Sequence, residues 1–152
     1  MTIFKPRDPD FQSRCQTAFS GQPFMDFIGA ELVHLSPGHC HIEVPHRREL
    51  LQQHGYFHGG ITATIADNAA GISAVTLFDA QSEPLTVEFK VNLIAPARGD
   101  RLISRGRVIK PGRTLSICQA DVFGVSGENE TLVATGLVTI MRLEGMSDRV
   151  AS

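Results

Sequence analysis

Two neighbouring features of this 152-residue chain are suited to acting together. The stretch ITATIADNAAGISAVTLF, residues 61–78, has helical spacing, with Ile61, Ile65, Ala69, Ile72 and Val75 on one face. Asp67 turns away from that stripe at about 100° per residue. Its neighbours on that side are Gly60, Ala63, Ala70, Gly71 and Ala74, all small. Such a face lets another backbone or a slender ligand approach closely. A carboxylate held in the resulting cleft is desolvated, its pKa rises, and it becomes a stronger general base. The competing reading makes Asp67 and Asn68 ordinary exposed helix positions, and periodicity alone favours that one.

The segment before the helix shifts the balance. HisGlyGly, residues 58–60, stands where the helix begins. Free N–H groups at a helix start, with the helix dipole, attract negative charge. They suit the polarising of a carbonyl oxygen and the holding of an oxyanion. Glycine there lets a substrate reach the backbone without meeting a Cβ. Asp67, about two turns deeper, is then placed to act on the carbonyl carbon or on a water beside it. HisGlyGly alone is a weak signal, because glycines mark many turns.

The remaining elements must hold that helix. Residues 8–20 carry Phe11, Cys15, Ala18 and Phe19 at the spacing of a short amphipathic helix, broken at Ser20–Pro23. Residues 28–35 and 38–45 read as strands around a Ser36–Pro37–Gly38 turn. Strands are expected at 85–94, 101–110, 113–124 and 131–142. In 85–94, Val87, Phe89, Val91 and Leu93 share a face. Lys110–Arg113 makes a compact turn, and the tail from Glu144 reads as polar and frayed. The order predicts an α+β fold: an antiparallel sheet of five to six strands wrapped around one long central helix, a single domain over residues 1–152.

Composition removes several function classes. A net charge of −2 argues against general nucleic-acid binding. No run of about 18 apolar residues is present to span a membrane. The N-terminus lacks the apolar core of a signal peptide, and three cysteines without a CxxC pair suit a reducing, cytoplasmic setting.

The stretch Gln52-x-x-Gly55-x-x-His58–Gly59–Gly60, followed by Ala66–Asp67 in a helix, resembles the PaaI-type branch of the hotdog thioesterases. TVEFKVNLIAPARGD at 86–100 and RGRVIKPGRTLSICQADVF at 105–123 extend the likeness over about residues 25–142. The resemblance implies hydrolysis of aryl or fatty acyl-CoA to free acid and CoA, with no metal or bound cofactor beyond the coenzyme A of the substrate. It implies that Asp67 is general base or nucleophile, that the Gly59 N–H polarises the thioester carbonyl, and that His58 orients the carbonyl or water. Gln52 matches a position where many relatives carry Asn, and Thr86 falls near a hydroxyl that holds the attacking water. Gly60 and Asn68 border the same site. The loop Ala95, Pro96 and Arg98, and the turn with Lys110, Gly112 and Arg113, would contact the nucleotide and phosphates of coenzyme A; on the residues alone, a solvated turn is the plainer reading. The family's site lies between two subunits, which implies a homodimer, assembled as a dimer of dimers into a homotetramer. Two rivals are a hotdog hydratase or dehydratase, whose motif is missing here, and a non-catalytic acyl-CoA binder.

Two further clusters call for readings. His34, His39, His41 and His46 lie near Cys40, but no paired metal-ligand spacing accompanies them, and a polar strand face is the better account. Phe11, Phe19, Phe24 and Phe27 read as packing an N-terminal helix on the sheet, which is compatible with closing over the site.

Overall fold

The computed structural model describes residues 4–145. The expected frayed tail lies mostly outside them. Two short helices, α1 (Phe11–Ser20) and α2 (Pro23–Ile28), precede strands β1 (Glu31–Ser36) and β2 (His39–Pro45). The long helix α3 (Gly59–Val75) follows, then β3 (Ser82–Leu93), β4 (Arg101–Lys110), β5 (Leu115–Ser126) and β6 (Asn129–Glu144). The six strands form one antiparallel sheet in the order β1-β2-β4-β5-β6-β3. This is the hotdog arrangement, with the sheet wrapped around α3.

Helix α3 carries three glycines and several β-branched residues, a poor composition for an isolated helix. Burial holds it in place. Ile65, Ala69, Ile72 and Val75 are buried, each of the larger ones worth roughly 1.5–3 kcal/mol. They face Ile42, Val44, Leu102, Val122 and Val138 from the sheet. The helix lies so close to β4 that a Cβ on Gly106 would stand 2.2 Å from the Ala69 carbonyl oxygen. Ala70 and Ala74 are also fully buried. The open small-residue face around Asp67 is therefore Gly60, Ala63, Thr64 and Gly71, not the set read from the sequence.

The N-terminal helices fill the side of α3 that the sheet leaves uncovered. Arg14 of α1 donates to the carbonyls of Val75, Phe78 and Ser82 at 3.0–3.1 Å. It also pairs with the buried Asp8 at 3.0 Å. A cation thus terminates α3 where its carbonyls gather negative charge. Helix α2 was not legible in the sequence. Pro23 reads as a break, yet it occupies the first turn of a helix, where its missing N–H costs nothing. Strand β1 consequently starts at Glu31 rather than at 28.

Strand β3 lies at the sheet edge, so one side of its backbone has no strand partner among the described residues. Its inward residues Phe89 and Leu93 are 50% and 58% exposed.

Candidate active site

Asp67 projects from the middle of α3 toward β3. The Thr86 hydroxyl donates to its Oδ1 at 2.9 Å. Burial raises the pKa of Asp67 above the usual carboxylate value, and the Thr86 bond offsets part of that rise. The carboxylate is half-buried, oriented and basic.

A bulge makes the contact. Cross-strand partners point to the same side of a sheet. Thr86 stands opposite Ile140 and Phe89 opposite Val138, both buried against α3. Strict alternation would send Thr86 and Phe89 to opposite faces. The register shifts between Thr86 and Glu88, so Val87 is the extra residue. Of the four residues expected to share a face, Phe89, Val91 and Leu93 do, and Val87 does not.

His58 is the N-cap of α3. Its Nδ1 accepts from the Gly60 N–H at 2.9 Å, and its carbonyl accepts from Ile61 and Thr62. In a neutral ring the proton then sits on Nε2. His58 Nδ1 and the Gly60 amide are thus bonded to each other, while the Nε2 side of the exposed ring is left open. That leaves the Gly59 N–H as the first-turn donor without an acceptor among the described residues.

Gly59 opens onto a groove of about 410 Å³, with Gln52, Tyr56, Leu93, Ala95 and Pro96 among its walls. A Cβ at Gly59 would meet Leu93 Cδ1 at 2.9 Å, so strand end and helix start are in contact. The Gln52 carbonyl Oε1 is held by the His54 N–H in a local turn. Arg98 does not line the groove. Its guanidinium stacks 4.4 Å from the Tyr56 ring centroid and donates to the Tyr56 hydroxyl. Tyr56 was missed in the sequence, although it sits inside the glycine-bounded motif.

The other expected site residues lie elsewhere. Asn68 is not a groove wall. Its Nδ2 donates to Gln22 Oε1 at 2.6 Å, joining α3 to the N-terminal helices. Lys110, Gly112 and Arg113 stand near the far end of α3, where Pro111 and Gly112 share a cavity with Leu77 and Phe78. Asp67 is also absent from the groove walls. Eight residues of helix separate it from Gly59, about 12 Å along the axis. A single chain does not bring the carboxylate and the free N–H to one carbonyl.

The histidines form an outer-face pair. His34 and His41 rings lie 4.7 Å apart, and burial with the neighbouring His34 and Arg105 holds His41 down at about 4. Among the described residues, no three His, Cys, Asp or Glu side chains gather as metal ligands. The four phenylalanines divide: Phe11 and Phe19 are buried, while Phe24 and Phe27 stack on each other in the open.

Comparison with known proteins agrees with this architecture. A family model described as the thioesterase superfamily matches residues 54–130. A thioesterase family protein from Silicibacter pomeroyi superposes with a TM-score of 0.87 at 39% identity, covering 89% of this chain and 99% of that one. Human acyl-coenzyme A thioesterase 13 is 28% identical over 92 residues, 60% of this chain and 65% of that protein. The PaaI protein of the E. coli phenylacetic acid degradation operon shares the fold, with a TM-score of 0.80 at 14% identity over 90% of this chain and 95% of that one. No helix among the described residues is long and apolar enough to cross a membrane.

Proposed function

This chain belongs to the thioesterase superfamily and is a thioester hydrolase, and on that premise we propose that it hydrolyses aryl or fatty acyl-CoA at a site shared between two copies. One observation carries the reading: a half-buried carboxylate, Asp67, held by Thr86 on an otherwise small-residue helix face.

Thr86 marks Asp67 on β3, and Leu93 marks Gly59. If the free edges of two β3 strands pair antiparallel about a twofold axis near Phe89–Lys90, the two markers exchange. The Gly59 N–H of one copy would then stand beside Asp67 of the other. The same pairing would satisfy the open edge and cover Phe89 and Leu93. The isologous dimer thus accounts for the 12 Å gap without moving the helix; a homotetramer built from two such dimers follows the resemblance.

The chemistry then runs as follows. The thioester carbonyl oxygen accepts from the Gly59 N–H, aided by the positive end of α3. Asp67 takes a proton from water as it attacks the carbonyl carbon, or attacks that carbon itself to form an anhydride that water opens. Collapse of the oxyanion breaks the C–S bond and expels the CoA thiolate. The thiolate leaves as the thiol after taking the proton that Asp67 removed from water or, on the anhydride route, a proton from solvent. Gln52 and the Ala95–Pro96 loop border the substrate.

A thiol-release assay over aryl and fatty acyl-CoA esters tests the reading. The wild type should release CoA from at least one class, and Asp67→Ala should lose roughly 10²–10⁴ in kcat while keeping its circular dichroism spectrum. Near-wild-type turnover by Asp67→Ala on every active ester would overturn it.

A further inference from the structure

The sheet runs around α3 from β1 at one edge to β3 at the other, and the N-terminal helices stand in the gap. Two hydrogen bonds fix the walls of what stays open. Thr86 holds Asp67 to β3 at 2.9 Å. Gln22, the residue before α2, accepts from Asn68 Nδ2 at 2.6 Å. Asp67 and Asn68 are consecutive, so their side chains diverge by about 100° around α3. Gly60, Thr64 and Gly71 fall between those two directions, and none of the three is buried. The result is a trough with a floor of small residues, β3 on one side, α2 on the other and Asp67 at its margin.

Met25 and Ile28 anchor α2 in the core. Asp26 lies on the flank toward β1, where it shares a cavity wall with Glu31 and Leu32. Phe24 is two residues from Asp26, about 200° around the helix, so it takes the opposite flank, the one toward the trough. It follows Gln22 by two residues, no more than about 7 Å of chain. Its ring stacks on Phe27, with centroids 6.4 Å apart and planes 17° from parallel. The two side chains are 50% and 65% exposed, an apolar patch that gains by being covered.

We propose that Phe24 and Phe27 form the acyl-recognition wall of the site and select an aromatic acyl group, which lies in the trough against the face of Phe24. The inference rests on the acyl-CoA reading above. There the CoA runs from the carbonyl into the groove at Gly59 of one copy. The acyl group leaves the same carbon beside Asp67 of the other copy, where the trough is the open surface. Gly60 and Gly71 offer a flexible chain no side chain to lie against. Two nearly parallel rings offer a flat face that a third ring extends.

The measurement is kcat/KM for benzoyl-CoA against hexanoyl-CoA, with acetyl-CoA as the acyl group too short to reach the wall. The wild type should favour benzoyl over hexanoyl on the order of tenfold. Phe24→Ala/Phe27→Ala should erase that preference. Phe24→Leu/Phe27→Leu, which keeps apolar bulk without rings, should erase it too. Absence of the preference in the wild type, or its survival in both double variants, would overturn the wall. So would dissociation of the variants in sedimentation velocity with equal loss on all three esters, which would make the rings a contact between copies. If none of the three esters releases thiol, the acyl-CoA reading fails instead. The wall is then judged by fluorine NMR with 4-fluoroacetophenone, a neutral aryl ketone. Line broadening that the leucine pair abolishes upholds it; no broadening, or broadening that persists in that variant, overturns it.

Discussion

Thr86 and Asp67, nineteen residues apart in sequence, share a 2.9 Å hydrogen bond that depends on Val87 bulging out of β3. The bulge turns Thr86 inward while Phe89, Val91 and Leu93 stay on the same face. The bond also sets how readily Asp67 ionises, because burial raises its pKa and the hydroxyl lowers it. The acid limb of the kcat–pH profile should therefore lie above the usual carboxylate value. Thr86→Val removes the lowering contribution, so the limb should move further up. A variant limb at or below that of the wild type would show that Thr86 does not tune this acid.

The raised pKa has a consequence for stability. The folded state holds the Asp67 proton to higher pH than the unfolded chain does. Stability therefore falls as pH rises from the unfolded pKa through the folded one, and the deficit persists at neutrality. Asp67→Asn removes it. The variant should melt above the wild type at pH 7, with the gap closing as pH drops through the carboxylate range, while its kcat falls roughly 10²–10⁴. A lower melting temperature at pH 7 would mean that the ionised carboxylate stabilises its own site.

Much of this was legible in the sequence because burial writes itself into spacing. The Ile61–Val75 stripe gave α3, and turn residues separated the strands of the sheet. Two local features defeated periodicity. The bulge at Val87 hid behind an uninterrupted alternation, since the extra residue is itself apolar. Helix α2 hid behind Pro23, because a proline that breaks one helix also suits the first turn of the next. Site partners were harder still. Asn68 with Gln22, and Arg98 with Tyr56, meet across 46 and 42 residues through polar tips, and polar surface positions carry no periodic signal. The cap formed by His58 is local and was readable in principle, but a histidine is not among the residues that ordinarily announce a helix start.

Arg14 ties down the other end of α3. It donates to the carbonyls of Val75 and Phe78, where α3 ends, and of Ser82, where β3 begins, and neutralises Asp8, whose side chain is 7% exposed. Arg14→Met keeps the aliphatic stem but leaves Asp8 buried without its partner. A loss of about 2–4 kcal/mol in unfolding free energy is expected, read by urea denaturation. Adding Asp8→Asn should recover part of it. A loss under about 0.5 kcal/mol would reduce Arg14 to an ordinary surface ion pair.

The proposed sharing of the site between two copies makes the sharpest demand. Gly59 is the first helical residue of α3, and the preceding His58 has φ −62° and ψ 138°, a conformation that tolerates a following proline. Gly59→Pro should therefore fold, with the flexible Leu93 side chain yielding, while removing the first-turn N–H that has no acceptor among the described residues. The expected cost is roughly 10²–10³ in kcat. Asp67→Ala fails for a different reason. In a dimer whose sites each take the amide from one copy and the acid from the other, a mixed dimer of these two variants contains one intact site and one doubly damaged one. Unfolding and refolding equal amounts together should make about half the dimers mixed, and so restore about a quarter of wild-type activity. Neither variant alone should gain anything from the same treatment. Absence of recovery, with mixed dimers verified by mass spectrometry, would place amide and acid in the same chain and refute the shared site.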